Sequence, residues 1–417
     1  KRKRPLNGVE APSPLRVREF RNLLPISLTV AIGFGLVIPV LPLFARSFGV
    51  GLALVGLVQF VFGFTRFSFG LAAGLVVDRF GERASTVTGI LIVAASSYAS
   101  GFAQSFPQLV AARGFGGAGS ALFIAGLMNR VLRIIPPRSM GRATGIWRSS
   151  FLVGIGIGPL IGGLLGERFG VRAPFHVYAT GLLVAAAIAY VVMSGAAERA
   201  APRRSPLEAL RAARPLFSDV RYVVALLATL VGWWTISGPA QQIGALFAQE
   251  ELGFSASEIG FGVTLLSVGE ILVLFIAGRA ADRFGRRAVL LPALGVTAAA
   301  TALLGQVSGA EWAYFPTLVA IGGGVAAGGV AIGGLLADAI PEGGSGTAVG
   351  ANQMAGDLGY MVAPAAIGAV AEGAGFEAAY VVGALPALAV FFAALRLPRR
   401  PPRPVKEVSP EPFEAVG

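Results

Sequence analysis

Several ionisable residues stand inside apolar runs of this sequence. Residues 60–77 read FVFGFTRFSFGLAAGLVV, with Arg66 near the middle, and three similar runs contain Arg148, Glu270 and Asp357. A guanidinium stays protonated at physiological pH, so it cannot escape a low-dielectric site by losing its proton. A carboxyl group can lose or gain a proton when its surroundings change. These residue types are therefore suited to charge pairing and to proton exchange.

Composition excludes several other kinds of chemistry. The chain has no cysteine among 417 residues, which excludes disulfides, thiol catalysis and thiolate metal sites. Its single histidine, His176, leaves little room for a catalytic triad or a multi-histidine metal site. No GxxxxGK[ST] phosphate-binding loop occurs, so any energy source should be an ion gradient. We therefore expect no cofactor, no metal and no enzymatic activity, although an intramembrane enzyme that uses only carboxylates stays open as an alternative.

The elements that carry these residues read as membrane-spanning helices. The chain is 55% hydrophobic and 13% charged, with a mean hydropathy of +0.72, whereas soluble domains carry about 25% charged residues. Its 58 glycines are typical of closely packed membrane helices. Because a spanning helix needs about 20 mainly apolar residues, we predict an all-α membrane protein with twelve transmembrane helices in two six-helix bundles. The predicted spans are 23–45, 52–77, 84–104, 107–132, 143–166, 173–194, 222–248, 256–281, 288–307, 311–338, 345–370 and 376–396.

Charge placement predicts the orientation and the division of the chain. If the amino terminus is cytoplasmic, 27 of the 34 Lys and Arg residues fall on the cytoplasmic side, which fits the positive-inside rule. We therefore expect a multi-pass protein of the cell (inner or plasma) membrane, with both termini cytoplasmic, no cleavable signal peptide and no nucleic-acid partner. The predicted units are a basic tail (1–22), two bundles (23–194 and 222–397), a linker (195–221) and a C-terminal tail (398–417).

The two halves of the chain repeat each other. GLVVDRFGER at 74–83 matches GRAADRFGRR at 278–287 with an offset of 204, and the fifth and eleventh spans match with an offset of 205. Under the first offset, Arg66 corresponds to Glu270. A basic residue in one half therefore occupies the position of an acidic residue in the other half.

These repeated residues resemble the major facilitator superfamily over about residues 22–397, most closely its 12-span drug–proton antiporter branch. Arg113 with Gly117 and Gly119 is similar to the arginine motif of proton-coupled members, and GLVIPVLP (35–42) resembles the first helix of the branch. Unlike several antiporters of this branch, the first span has no acidic residue. The signature loop and its second copy are carried by Gly74, Asp78, Arg79, Gly81, Arg83, Gly278, Asp282, Arg283, Gly285, Arg286 and Arg287; the antiporter motif is carried by Gly154, Gly158, Pro159, Gly162 and Gly163.

Each motif also has a physical interpretation. Gly81 allows a tight turn, and Asp78 could meet the positive N-terminal end of the eleventh span near 344–347, which would hold the cytoplasmic side shut. Alternatively, the loop is charged only to fix topology. The Gly154–Gly163 run removes side chains from one helix face, and Pro159 frees a backbone carbonyl. The run predicts close packing or bending, and antiport itself is implied by the resemblance; a simple packing seam is the alternative.

The resemblance implies which helices face each other, namely spans 2 and 11 and spans 5 and 8. Arg66 and Asp357 then lie at equal depth, while Arg148 starts about one turn nearer the cytoplasm than Glu270. We expect two ion pairs between the halves, Arg66–Asp357 and Arg148–Glu270. Protonation of either carboxylate would remove the attraction and loosen the interface, which is the requirement for proton coupling. The alternative is a pair of static contacts that only neutralise charge.

Other polar and aromatic residues are candidates for a substrate cavity. Aromatic side chains on the seventh span could stack on a flat or cationic substrate, and glutamines within spans prefer protein to lipid. These candidates are Gln59, Trp233, Trp234, Gln241, Gln242 and Gln353.

Together these features predict a secondary transporter that works by alternating access. The predicted function is proton-coupled export of amphipathic organic compounds, as in multidrug efflux. Proton-coupled uptake of a small metabolite or organic anion and lipid translocation are the alternatives. The expected partners are a small-molecule substrate, protons and membrane lipids, and we expect a monomer.

Overall fold

A computed structural model describes residues 13–136, 139–193, 214–340 and 345–398. The described part of the chain is almost entirely helical and contains no strand. The linker between residues 194 and 213, both tails and residues 341–344 lie outside the described residues, so the predictions made for them have no structural counterpart here.

The first half contains six spanning helices. Helix α1 is broken at Ile38–Pro39, where Arg18–Val37 ends and Val40–Arg46 begins. The other five are α2 (Leu52–Phe80), α3 (Glu82–Phe102), α4 (Phe106–Ile134), α5 (Met140–Phe169) and α6 (Ala173–Val192).

The second half repeats this order. Helix α7 consists of Val220–Thr235, a π-helical segment at Ile236–Ile243, and Gly244–Glu250. It is followed by α8 (Ala256–Phe284), α9 (Arg286–Leu304), α10 (Tyr314–Ala339) and the long helix Ser345–Ala394. This last helix bends sharply at Gly375, where φ is 86°, and so provides both α11 (345–374) and α12 (376–394).

Eleven described helices are long and apolar enough to cross a membrane, and the last of them contains two spans. The described helices thus supply twelve spans, each beginning and ending within five residues of its predicted bounds. Many large apolar side chains stay on the surface, among them Leu75 (72% exposed) and Phe275 (69% exposed). Such an apolar surface is expected for helices that face lipid. The predicted all-α fold is confirmed.

Glycine and local caps determine where several helices end. Gly81 and Gly285 occupy equivalent positions in the two repeated loops, with φ of 84° and 91°. A side chain is strained in this left-handed region, so glycine lets one helix end and the next begin without a connecting segment. At the start of α8, Ser255 and Glu258 form a reciprocal capping box.

The two halves meet along two helix pairs. Helix α2 packs against α11, and α5 packs against α8, while the other extensive contacts lie within each half. Glycines permit close approach at both pairs: a side chain at Gly56 would collide with the backbone of Ala365, and one at Gly260 with the backbone of Pro159. This arrangement positions the charged residues of α2, α8 and α11 at the interface between the halves.

Candidate functional site

An ion pair joins the two halves near the middle of the bundle. Arg66 is fourteen residues from either end of α2, and its Nη2 group donates to Asp357 Oδ1 of α11. The Gln353 amide also donates to this carboxylate, at 3.3 Å, and the Arg66 guanidinium lies 5.4 Å from the centre of the Tyr360 ring. Only 22% and 15% of the two side chains are exposed. The predicted partners Arg66 and Asp357 are therefore in contact, and a buried charge is neutralised across the interface.

Beyond this pair, the interface opens toward the predicted cytoplasmic face. Gly56 and Gly63 of α2 pack against α11, but Gly70, one heptad further along the same face, meets nothing within 4 Å. Each of the other three interface helices also carries, toward the predicted cytoplasmic face, a glycine whose Cβ would meet nothing within 4 Å. These are Gly145 on α5, Gly278 on α8 and Gly350 on α11. Because contact is lost on all four helices, the Arg66–Asp357 pair lies where the halves begin to diverge.

At the predicted outer face, by contrast, polar contacts tie the halves together. Arg46 donates to Glu250 at 2.7 Å, and these residues are 204 apart, which is the offset of the repeat. Glu372 accepts the Ala53 backbone N–H at 3.1 Å, at the start of α2. Its repeat equivalent, Glu167, accepts from Ser257 at the start of α8. The structure is therefore closed at the predicted outer face and open at the opposite one.

Arg148 and Glu270 do not form the second predicted pair. The register of α5 and α8 explains this, since Gly156 lies against Ser267 and the position opposite Glu270 is consequently near residue 153. Arg148 is five residues away from that position, about 7.5 Å nearer the predicted cytoplasmic face. Its side chain is exposed, whereas Glu270 is partly buried at the midpoint of α8 and has no hydrogen bond or ion pair to a described residue. The expectation of a symmetric second pair is corrected accordingly.

A cavity lies between the halves on the outer side of the Arg66–Asp357 pair. Its space free of protein atoms measures about 350 Å³ when the opening to the surroundings is included, and about 20 Å³ of it can hold the centre of a water-sized molecule. Both halves contribute to its wall, through α1, α2 and α4 on one side and α7 and α11 on the other. The lining residues are Phe34, Val37, Ile38, Leu41, Pro42, Gln59, Arg113, Ser237, Gln241, Gln242 and Tyr360.

Arg113 is the charged residue of this lining. It is 2% exposed, forms no ion pair or hydrogen bond with any described residue, and its guanidinium lies 4.7 Å from the centre of the Phe62 ring. Its other near neighbours include the phenols Tyr178 and Tyr360. Cation–π contact contributes about 0.5–2 kcal/mol, less than the ~2.5–3.5 kcal/mol or more that a central membrane arginine costs. The aromatic contacts therefore compensate only part of the cost of burying this charge.

Three of the six predicted cavity residues line the cavity, namely Gln59, Gln241 and Gln242. The other three do not. Trp234 is held by a hydrogen bond from its indole N–H to the Gly383 carbonyl at 3.2 Å, so it faces α12. The rings of Trp233 and Tyr360 meet at nearly a right angle, in an edge-to-face contact, and Gln353 is bound to the interface carboxylate. Adjacent residues on a helix point in different directions, which is why the two tryptophans could not both face inward.

Sequence reasoning missed Tyr360 and Ser237 in this wall. Tyr360 follows Asp357 by three residues, so helical spacing alone would have placed the two side chains on one face. Ser237 lies in the π-helical segment of α7, which contains Pro239. A proline inside an apolar span removes a backbone N–H, and π-helical turns are frequent at functional sites, so Pro239 was the available signal.

The two repeated loops are held mainly by neighbours within their own half. In the first, Arg83 stacks on Tyr190 with 3.8 Å to the ring centre, while Asp78 is exposed and has no ion pair or hydrogen bond to a described residue. The predicted contact of Asp78 with 344–347 falls partly outside the described residues. Exposed positions in these loops include Arg79, Asp282 and Arg283.

Two acidic residues outside the motifs hold the loop regions. Glu82 binds Arg133 at 2.9 Å, and Asp338 approaches Arg286 Nε at 3.7 Å. Arg287 donates to the Leu397 carbonyl at 2.7 Å. Glu82 and Asp338 lie outside the matched motif positions, so motif spacing could not identify them.

The glycines of the antiporter motif form two packing surfaces on α5. Gly154, Gly158 and Gly162 lie against α1, where a Cβ on Gly158 would stand 2.6 Å from Gly35 Cα. Gly163 lies against the start of α8, where its Cβ would stand 3.0 Å from Ser257 Cα. Leu160, which follows Pro159, donates its backbone N–H to the Thr264 hydroxyl of α8 at 3.1 Å. The motif therefore joins α5 both to its own half and to the other half.

Comparison with known proteins identifies the family of this chain. The profile described as Major Facilitator Superfamily matches residues 23–246 and 241–416. The chain belongs to the major facilitator superfamily. Multidrug resistance protein 1 of Bacillus subtilis (strain 168) is 28% identical over 237 residues, which cover 56% of this chain and 59% of that protein.

A longer match covers most of the chain. The multi-drug resistance efflux pump PmrA of Streptococcus pneumoniae (strain ATCC BAA-255 / R6) is 25% identical over 386 residues, 89% of this chain and 92% of that protein. Among solved structures, the nucleoside transporter NupG superposes with a TM-score of 0.73 at 13% identity, covering 91% of this chain and 98% of that chain. This last likeness supports the fold alone.

Proposed function

We propose that this protein is a secondary transporter that exports amphipathic organic compounds in exchange for protons. The observation that carries the proposal is the Arg66–Asp357 ion pair, which links the two halves at the point where they diverge. Alternating access requires the contacts between two bundles to form and break. The relatives described above are named as multidrug resistance and efflux proteins, and this likeness favours export.

Protonation of Asp357 provides the coupling step. A neutral carboxyl group cannot hold the Arg66 guanidinium by charge, so protonation weakens the contact between α2 and α11. Loss of one partner from a buried pair typically costs ~3–5 kcal/mol, and the partial exposure of this pair places its contribution below that range. A change of even 1.4 kcal/mol alters the ratio of two conformations tenfold.

Glu270 is the second candidate for proton binding. It occupies the position of Arg66 in the other half and lies opposite the part of α5 near residue 153. The repeat of the fifth and eleventh spans makes Leu152 the equivalent of Asp357. Apolar side chains stand there, so this carboxylate has no ionic partner among the described residues in the present conformation. We propose that it takes up a proton when it is buried and releases it when the interface opens.

The arrangement in the membrane follows from the same proposal. The bundles at 23–194 and 222–397 rock about the interface as a monomer in the cell membrane, surrounded by lipid, with both termini in the cytoplasm. The conformation described above is then open to the cytoplasm, ready to accept a compound for export.

Transport by purified protein in liposomes tests this function. A pH gradient, acidic on the side that corresponds to the outside of the cell, should drive at least one dye from a set of anionic, neutral and cationic amphipathic dyes against its own gradient. Asp357→Asn and Glu270→Gln should each lose gradient-driven transport by at least about tenfold. Both should keep exchange of dye across the membrane without a pH gradient. Glu311→Gln is the matched control, because this exposed carboxylate lies outside the interface and should transport as the wild type does. Full gradient-driven transport in both interface variants would contradict the proposal.

A further inference from the structure

The cavity between the halves carries one unpaired positive charge. Arg113 lines it, and the ten other lining residues include no Asp, Glu or His. The nearest ionised pair, Arg66–Asp357, is neutral as a unit because its two charges are in contact. A guanidinium cannot shed its proton to relieve burial. The described wall of the cavity is therefore cationic.

A second unpaired donor comes from the opposite half. The Gln242 side chain is 6% exposed, and its amide nitrogen is buried without a hydrogen-bond partner. The Arg113 Nε–H is unpartnered in the same way. Buried donors are nearly always hydrogen-bonded, so two of them lining one cavity indicate an acceptor that binds there.

The rest of the wall determines what kind of molecule carries the acceptor. Phe34, Val37, Ile38 and Leu41 of α1 form an apolar surface beside these donors. An apolar body could pack on this surface while an anionic group reaches the guanidinium. A carboxylate suits such a site, since its two oxygens accept hydrogen bonds and a guanidinium can donate two in parallel.

We propose that Arg113 and Gln242 bind the anionic group of an amphipathic substrate, so that the transported compounds are organic anions. This inference rests on the proposed transport function and specifies its substrate class. Because Arg113 belongs to the first half and Gln242 to the second, the anion bridges the two halves. A bound anion consequently replaces the charge compensation that Arg113 lacks in the empty cavity.

Binding to the purified protein in an uncharged detergent tests the inference without any transport step. Isothermal titration calorimetry would compare three matched probes: 2-naphthoate, 2-naphthamide and 2-naphthylmethylammonium. The wild type should bind the carboxylate at least about tenfold more tightly than the amide or the ammonium, since a charged hydrogen-bonded pair contributes that much. Tighter binding of the ammonium, equal binding of all three, or no saturable binding of the carboxylate would overturn the inference.

Variants then assign the preference to the proposed residues. Arg113→Gln should lose at least about tenfold of the carboxylate affinity and keep the affinity for the amide within about twofold, which also reports an intact fold. Arg279→Gln makes the same change at an exposed arginine of α8 outside the cavity and should change nothing. If Arg113→Gln does not fold, Gln242→Leu should still lower carboxylate affinity about threefold or more. Unchanged carboxylate affinity in a folded Arg113→Gln variant would refute the assignment. If Arg113→Gln does not fold, unchanged carboxylate affinity in Gln242→Leu would refute it.

A lipid headgroup offers the same chemistry as an organic acid, namely an anion on an apolar body. Dihexanoyl phosphatidylglycerol, added below its micelle concentration, distinguishes the two sources. A soluble acid as the substrate predicts that the lipid leaves 2-naphthoate affinity unchanged. Competitive displacement would instead assign the anion site to a phospholipid headgroup and overturn the claim that soluble organic acids are the substrates.

Discussion

The close glycine contact between α1 and α5, at Gly35 and Gly158, predicts a loss of stability whose magnitude follows from interatomic distances. A Cβ on Gly158 would stand 2.6 Å from Gly35 Cα and 2.8 Å from the carbonyl carbon of the same residue. Both atoms are backbone, so no flexible side chain can move aside. Optimal carbon–carbon separation is about 3.5–4.0 Å, and the two helices would therefore have to separate by roughly 1 Å. Overpacking of this kind typically costs ~1–3 kcal/mol.

The matched control lies on the same helix. Gly145 has nothing within 4 Å of its potential Cβ, so alanine fits there without strain. Alanine is favoured over glycine in a helix interior by about 1 kcal/mol at both positions, and this gain cancels in the comparison. Gly158→Ala should therefore be less stable than Gly145→Ala by about 1–3 kcal/mol.

Thermal unfolding of the two purified variants, side by side in the same detergent, measures this difference. The unfolding midpoint of Gly158→Ala should be lower by roughly 1–3 °C, since 1 kcal/mol shifts the midpoint of a chain of this length by about 1 °C. Equal midpoints, or a higher midpoint for Gly158→Ala, would refute the assignment of this motif to close helix packing.

Three further predictions follow from local geometry. Gly81→Ala should lose about 1–3 kcal/mol of stability, because only glycine suits its backbone angles, whereas Gly70→Ala should be tolerated; thermal unfolding compares them. Hydrogen bonds from Arg221 hold the pKa of Asp219 below its usual range. The ionised carboxylate therefore stabilises the start of α7 above about pH 4. This stabilisation is lost as the pH falls through the lowered pKa. Asp219→Ala should therefore cost about 1 kcal/mol near pH 7, and the deficit should shrink on acidification below about pH 4 in pH-dependent unfolding. Arg46→Gln removes a partly exposed ion pair at the predicted outer face and should favour the outward-open state by at most about fivefold. Spin-label distances between the outer ends of α3 and α9 measure this shift, and an unchanged distance or a closure would contradict the prediction.

The fold was largely predictable because its signals are local. Apolar runs of about 20 residues located all twelve spans, and the repeated DRFG segments predicted the tight turns at Gly81 and Gly285. The long helix Ser345–Ala394 also agrees with the prediction, since it bends at Gly375, between the two predicted spans.

The site was predictable only where the repeat and the helix register agree. Arg66 and Asp357 lie at matched depth and meet across the interface. Glu270 was assigned the wrong neighbour. Depth counted from the predicted span ends already placed Arg148 about one turn nearer the cytoplasm, and the register of α5 and α8 widens this offset to about five residues. The direction in which a side chain leaves its helix is also set by packing, which is why Trp234 faces α12 rather than the cavity.

The absence of partners for Arg113 could not be inferred from sequence. Its motif resembles that of proton-coupled transporters, but the sequence does not reveal that no carboxylate of the described chain reaches it. Only the packing of α2, α6 and α11 around the guanidinium of α4 shows which groups among the described residues surround it. The substrate class proposed here therefore rests on three-dimensional contacts.

The most direct test of the central claim measures the distance between the halves as a function of pH. The chain has no cysteine, so spin labels can be placed cleanly at Phe80→Cys and Phe284→Cys, two exposed positions at the predicted cytoplasmic ends of α2 and α8. Double electron–electron resonance should show the distance distribution of the wild-type protein changing as the pH is lowered. Asp357→Asn should give the low-pH distribution at every pH. The account would be contradicted if the distance distribution of the wild type did not change with pH. It would also be contradicted if the distribution of Asp357→Asn changed with pH as that of the wild type does.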